Sequence, residues 1–341
     1  MSSKLEMASG ALHRNLETKC TRSRETPAGG RAPACDSFPR TRTLRYAPLL
    51  LAAACGGRPS VAVTPVAFTM PDSTFILDGR TGDTLPTGEL LRQVGEADIV
   101  LLGEVHDNPV DHALRGALLT ASAAERPAVV FEQFADRDTP IPPPAPGQSM
   151  EAWLDAFGFD RKGWRWPLHA PVVEAAIAHA RSLWGANLSR EELMPVVREG
   201  ESAVRAPIRR LMELAPLDSA ATAVMDSTLV ESHCGQLPPA MIPGMRTAQV
   251  ARDAAMVRAL LLAGADSGQR PEWLIAGNGH VQRDLGVPRI LREVLPQARV
   301  LAVGLLERDK DGGLPAAADR RTYDLVVVTP RVEREDPCKG L

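Results

Sequence analysis

Two short stretches of the sequence place a histidine three residues after a glycine, each time directly after an apolar run. Gly103-x-x-His106 follows "DIVLL", and Gly277-x-x-His280 follows "EWLIA". Glu104 lies inside the first motif. A histidine beside a carboxylate can act as a general base or can ligate a metal ion, so both motifs are candidates for a functional site.

The apolar runs before these motifs are two of six that have the length of a strand. Short continuous runs separated by helical stretches are typical of strands buried on both faces of a largely parallel sheet. The six runs cover residues 98–103, 127–133, 182–188, 272–279, 299–307 and 323–330. We therefore predict an α/β fold with a mainly parallel central sheet flanked by helices.

The helices between the runs carry clear start signals. Asn108 followed by Pro109 is typical of a helix N-terminus. Ser189 with Glu192 three residues later forms a capping-box pattern. From about residue 189 to residue 262 the pattern is helical throughout. We expect this stretch to form a helical subdomain inserted before the fourth strand.

Polar residues follow four of the apolar runs. Ligands of open α/β sheets bind outside the carboxyl ends of the strands, so these residues would share one crevice. Polar residues after a single strand are more often a helix cap. Polar residues after four strands favour a ligand site. Besides His106, His280 and Glu104, the strand ends supply Glu132, Asn187 and Asn278.

Residues 40–57, "RTRTLRYAPLLLAAACGG", have the order of a bacterial lipoprotein signal: basic residues, a short apolar run, small residues and Cys55. We expect residues 1–54 to be leader and signal, Cys55 to carry lipid, residues 55–72 to form a tether and residues 73–338 the folded domain. The protein would then lie in the bacterial cell envelope, facing the periplasm or on the outer membrane, with the lipid as its one membrane contact. A plain secretory signal with an incidental cysteine is the alternative.

The charge distribution argues against nucleic acid as a partner. The chain of 341 residues has a formal net charge of −3, although residues 1–54 hold nine Lys or Arg and four Asp or Glu. The remainder therefore carries a net charge of −8. Phosphate binding needs a basic face, which an acidic body does not offer.

Two cysteines remain after Cys55, namely Cys234 and Cys338. In an oxidising compartment an even pair is most simply a disulfide, which would join the C-terminus to the middle of the chain. Two separate thiols would satisfy the sequence equally well.

The segments around these residues together resemble the ChaN-like haem-binding lipoproteins. The resemblance covers about residues 73–338 and is carried by "LLGEVHDNPVDHALRGALL", "FEQF", "FDRKGWRWPLHAPVVEAAI", "ANLSR", "SHCG", "RDAAM" and "AGNGHVQRDLGVPRIL", and "TPRVEREDPC" fits the tail of the same family. That family belongs to a wider superfamily with the Tiki proteases and the erythromycin esterases. The resemblance implies an α/β sandwich, an envelope lipoprotein, and binding of haem (iron-porphyrin) in iron or haem uptake, with a homodimer sharing the ligand.

The segment "GWRWPLHAP" contains the groups that haem needs. His169 can ligate the iron, Trp164 and Trp166 can stack, and Arg165 can meet a propionate. The alternative is a Trp-rich plug that joins a loop to a helix. Further haem contacts are expected from the crevice: His106, His112, Asn187, Asn278 and His280.

The rival hypothesis is a hydrolase. A divalent metal such as zinc or manganese would be held by His106, Glu132 and His280, with an open position for water. A metal-free version would use His106 as general base, oriented by Glu104 or Glu132. Nucleophile motifs such as GxSxG do not occur in the sequence. The third possibility is an envelope module without catalysis.

Overall fold

The computed structural model describes residues 68–335 and 338–339. The predicted leader and signal, Cys55, and residues 55–67 of the predicted tether lie outside the described residues. Among the described helices, none is long and apolar enough to cross a membrane.

The strands of the described chain form one sheet of eight, in the order β2-β1-β8-β7-β3-β6-β4-β5. The strands are β1 Phe75–Asp78, β2 Thr84–Leu85, β3 Ile99–Leu102, β4 Ala128–Ala135, β5 Ser182–Asn187, β6 Glu272–Ile275, β7 Val300–Glu307 and β8 Leu325–Thr329. The six strands from β8 to β5 are parallel, and at one edge β1 pairs antiparallel with both β8 and β2. Each predicted run contains a strand, and the predicted mainly parallel α/β fold is confirmed.

The helices cover both faces of this sheet. They are α1 Thr87–Glu96, α2 Pro109–Ala121, α3 Met150–Ala156, α4 Ala170–His179, α5 Arg190–Glu199, α6 Ala206–Leu214, α7 Ser219–Ser232, α8 Ile242–Ser267, α9 Asn278–Val281, α10 Val287–Val294 and α11 Ala317–Arg320. The fourth predicted run ends as a strand at Ile275, and its last residues begin α9.

Alternate residues of each strand point to opposite faces and so enter different cores. In β3, Val100 and Leu102 pack with α1 to α4, whereas Ile99 and Leu101 pack with α5 to α8 and α10. The predicted helical insert, α5 to α8, therefore belongs to one layer of a three-layer sandwich. Its longest helix, α8, contacts β4, β5 and β6.

The start of α2 fixes the direction of the helix that leaves β3. The Asn108 side chain accepts a hydrogen bond from the Val110 N–H at 3.0 Å, and Pro109 occupies the first helical position. Asp111, His112 and Arg115 are buried, on the face of α2 that contacts the turn after β3. The capping box at Ser189 is also confirmed.

The predicted disulfide is confirmed. Cys234, directly after α7, is bonded to Cys338, and their Cα atoms lie 5.4 Å apart. The bond closes a loop of 104 residues and ties the C-terminal segment to the helical layer.

We expect the double variant Cys234→Ser with Cys338→Ser to lose about 2–4 kcal/mol in free energy of unfolding. Without the bond the unfolded chain is less restricted, so unfolding gains more entropy. Urea denaturation measures the loss, and reduced wild-type protein should match the variant. Peptide mapping without reductant should recover both cysteines in one linked species. Recovery of two free thiols would contradict the bond.

Candidate functional site

The carboxyl ends of β3, β6 and β4 are adjacent in the sheet, and two clusters of charged side chains lie there. We call the first the Glu104 cluster; it comprises Glu104, His106, His112, Arg115, Gln133 and His169. We call the second the Glu132 cluster; it comprises Glu132, Gln249, Arg252, Asp253 and His280. The predicted convergence of strand ends therefore occurs in the structure.

Glu104 is buried at the centre of the first cluster. Its Oε1 lies 2.8 Å from Nδ1 of His106 and accepts a hydrogen bond from Nε2 of Gln133 at 3.0 Å. Its Oε2 contacts the guanidinium of Arg115, which is also fully buried. The pair places a positive charge beside a buried carboxylate, whose burial without a compensating charge would be costly.

Hydrogen bonds define the proton positions on His112. Its Nε2 lies 3.1 Å from the backbone oxygen of His106, which can only accept, so Nε2 donates. Its Nδ1 then accepts from Nη2 of Arg115 at 2.7 Å. Burial lowers the pKa of His112, which agrees with a neutral ring.

His169 is also neutral. It immediately precedes α4, and its Nε2 lies 3.4 Å from Oε1 of Glu104. Burial, together with the neighbouring His112 and Arg115, lowers the pKa of His169 to about 2. Its ring centroid is 4.0 Å from that of His112 and 5.7 Å from that of Trp164.

The Glu132 cluster fixes α8 and the loop after β6 to the end of β4. Glu132 accepts hydrogen bonds from the Gly277 N–H at 2.7 Å and from Arg252 Nη2 at 2.8 Å. His280 lies between two carboxylates, with Nε2 at 3.4 Å from Glu132 and Nδ1 at 2.5 Å from Asp253.

The two carboxylates hold His280 in its charged form. Burial alone would lower the pKa of His280, but Glu132 and Asp253 outweigh burial and raise it to about 9. In return, His280 and Arg252 hold the pKa of Glu132 well below its usual range against the effect of burial. The second cluster therefore carries an imidazolium at neutral pH.

His106 is the exposed member of the Glu104 cluster, with 52% of its side chain accessible. Because the Glu104 carboxylate accepts from Nδ1, the lone pair of the imidazole is left on Nε2. A Cβ at Gly277 would lie 2.7 Å from Cε1 and 2.9 Å from Nε2 of this ring. A side chain at residue 277 would therefore displace the ring of His106.

An aromatic ring and a cation flank His106. The ring centroid of Trp164 lies 4.9 Å from that of His106, in an edge-on arrangement. Arg165 donates from Nη1 to Oδ2 of Asp107 at 3.2 Å, and 67% of its side chain is exposed. The next residue, Trp166, packs instead against Phe159.

The structure gives several predicted contact residues other partners. The Asn278 amide is engaged by the backbone of Leu305, with bonds of 2.6 and 3.1 Å, and so joins the loop after β6 to β7. Asn187 accepts from Arg252 at 3.2 Å. His112 and His169, both expected to face a ligand, are buried in the Glu104 cluster.

The residues whose ligand atoms lie close enough to share a metal ion are not the ones predicted from the sequence. In the described part of the chain, Glu104, His112 and His169 are the set whose ligand atoms all lie within 4.8 Å of one another. His106, Glu132 and His280 do not form such a set there. Arg115 already supplies the positive charge beside Glu104.

Three charged residues of the site were missed by the sequence analysis. Arg115 lies three positions after His112, on the same face of α2, and this spacing is the signal that could have found it. Arg252 and Asp253 lie on α8, on the side that contacts the Glu132 cluster. Apolar residues are spread around α8, so its sequence does not indicate which side is buried.

A family described as haem-binding uptake, Tiki superfamily, ChaN matches residues 90–291, more than half of the chain. The chain belongs to this family. Every member of the Glu104 and Glu132 clusters lies within the matched residues.

Solved structures of this fold include ChaN of Campylobacter jejuni, described as binding haem cofacially. It has a TM-score of 0.58 and 17% identity, covering 74% of this chain and 96% of that chain. An erythromycin esterase in its open conformation has a TM-score of 0.42 and 12% identity, covering 78% of this chain and 99% of that chain. No curated protein gives a significant sequence match.

The raised pKa of His280 makes the stability of this ChaN family member depend on pH. His280 is protonated in both states below about pH 6.5, its unfolded pKa, so its stabilisation is fully present there and is lost as pH rises through about 9. We expect a loss of about 3 kcal/mol in free energy of unfolding over this window.

Urea denaturation at about pH 6 and at about pH 10 measures this loss. The variant His280→Gln should lose less stability between the two conditions than the wild type. His179→Gln, on α4 away from both clusters, is the matched control and should behave as the wild type. Equal losses in all three proteins would contradict the charged state of His280.

Proposed function

We propose that the protein binds haem, with His106 as the axial ligand, and that it acts in haem or iron uptake. Membership of the haem-binding family supports the ligand class. The observation that carries the choice of residue is the exposed His106, whose Nδ1 lies 2.8 Å from the buried Glu104.

The residues around His106 fit a haem. Axial ligation needs a free imidazole lone pair, and a carboxylate on the other ring nitrogen makes that lone pair more basic. Trp164 supplies an aromatic edge and Arg165 an exposed cation for a propionate. His169, the ligand favoured by sequence, is 1% exposed and bonded to Glu104, so His106 replaces it in this proposal.

A second copy of the chain is the proposed partner. The Campylobacter jejuni protein is described as binding haem cofacially, and His106 with Trp164 lies on an accessible side of this chain. A haem stacked on this surface would leave its other face uncovered. We therefore propose that two protomers share the ligand.

Haem added to the purified protein should give a sharpened Soret band. We expect His106→Ala to weaken haem binding by more than the roughly 10- to 100-fold that loss of a ligand's hydrogen-bond partner costs, because the ligand itself is removed. His179→Ala is the control and should bind as the wild type. His169→Ala should change the band less than His106→Ala, because His169 acts only through Glu104. Sedimentation with haem should show a dimer.

A hydrolase is the second candidate, and one observation favours it. His106 oriented by Glu104 is a general base, and the protonated His280 on Glu132 is an acid on the neighbouring strand end. A featureless haem titration with ester hydrolysis that depends on His106 would replace the haem proposal. Stoichiometric zinc or manganese in the purified protein would do the same in favour of a metal hydrolase.

We also propose that the protein is a lipid-anchored protein of the cell envelope. The basic stretch, apolar run and small residues before Cys55 support this. Labelled palmitate should enter the wild type and the control variant Cys35→Ser, and should be absent from Cys55→Ser. Labelling that survives Cys55→Ser would contradict the anchor.

A further inference from the structure

We propose that Arg334, near the C-terminus, is a positioning residue of the ligand site: it holds the turn that carries His106 and the adjoining Trp164 segment. Arg334 lies outside the residues that match the family. The proposal depends on the proposed function only for the identity of the ligand, because the positioning itself can be measured without haem.

The segment of residues 332–335, which we call the C-terminal strap, crosses the carboxyl edge of the sheet after β8. Its first residue, Val332, donates its N–H to Oε1 of Glu307 at 3.2 Å. Just before the strap, the Pro330 oxygen accepts from the Asn108 side chain at 3.0 Å. The strap is therefore attached to the end of β7 and to the cap of α2.

From this strap, the side chain of Arg334 reaches two carboxylates, those of Asp107 and Glu307. Its Nε and Nη2 donate to the two oxygens of Asp107 at 2.8 and 2.6 Å, and its Nη1 and Nη2 donate to Glu307 at 2.6 Å each. The two-pronged arrangement fixes the orientation of the Asp107 carboxylate as well as its position. Glu307 is almost buried, so it is a fixed anchor for the guanidinium.

Asp107 connects Arg334 to two segments of the ligand site, the turn that carries His106 and the segment that contains Trp164. It directly follows His106 in the chain, so the Asp107 carboxylate orients the turn that bears the imidazole. Its Oδ2 also accepts from Arg165, which directly follows Trp164. Arg165 has a left-handed backbone, with φ of 51°, which is costly for a residue with a side chain and needs an anchor.

The disulfide restricts the strap. Cys338 lies four residues after Arg334 and is bonded to Cys234, next to α7. A chain held at both ends loses less entropy when Arg334 engages Asp107 and Glu307. The Cys234–Cys338 bond therefore favours the bridged position of Arg334.

The test compares Arg334→Ala, Arg334→Lys and Arg299→Ala. Arg299 is a matched control because it also forms a two-pronged pair with an aspartate, Asp98, at the opposite end of β3. Without haem, limited trypsin digestion with mass spectrometry measures cleavage after Arg161, Lys162 and Arg165. Urea denaturation measures global stability, and haem titration measures affinity and the Soret position.

We expect Arg334→Ala to speed cleavage in the Trp164 segment, to shift the Soret band and to weaken haem binding roughly 10-fold, while Arg334→Lys recovers part of each. Arg299→Ala should change none of them. Faster cleavage spread over the whole chain, in proportion to lost stability, would overturn the positioning role. So would unchanged cleavage and unchanged binding in Arg334→Ala. If the wild type binds no haem, the proposed function fails, and the digestion still decides the role of Arg334.

Discussion

The site depends on one buried charge, the carboxylate of Glu104. Its residue is only 2% exposed, and leaving such a charge unpaired would cost several kcal/mol. Arg115 supplies the compensating charge at Oε2, and Gln133 and His106 are hydrogen-bond partners of Oε1. Because these partners come from α2, from β4 and from the turn after β3, satisfying one carboxylate fixes three elements relative to one another.

The Glu132 cluster lies at the end of β4, separated from β3 by β6, and its buried carboxylates are compensated in a different way. Its carboxylates are compensated by Arg252 and by a protonated His280, whereas Glu104 is compensated by Arg115 and leaves its histidines neutral. The histidines differ in protonation because two carboxylates, those of Glu132 and Asp253, flank His280. His106 thus stands between an ion pair and an imidazolium, and it is the histidine of the two clusters that solvent reaches.

The sequence was sufficient for the sheet and for the meeting of polar strand ends at its carboxyl edge, because strand runs and polar strand ends are local patterns. It was not sufficient for the roles within the site. His169 reads as an accessible ligand beside two tryptophans, yet it contacts Glu104, 65 residues earlier. Arg334 reaches Asp107 across 227 residues, and no local pattern signals such a contact. Gly277 lies against the ring of His106, and the sequence around the glycine does not signal this contact either.

The two proposed functions of the Glu104–His106 pair differ in the accessibility that they need. The same pair orients a general base or strengthens an axial ligand, because both tasks need a free lone pair on Nε2. Hydrolysis of a small substrate gains from a site that excludes water, where fixed charges act most strongly. His106 is instead half exposed beside the edge of Trp164, with an exposed cation nearby. A large flat ligand with its own carboxylates can cover such a surface and exclude water itself, and this is the physical reason for preferring haem.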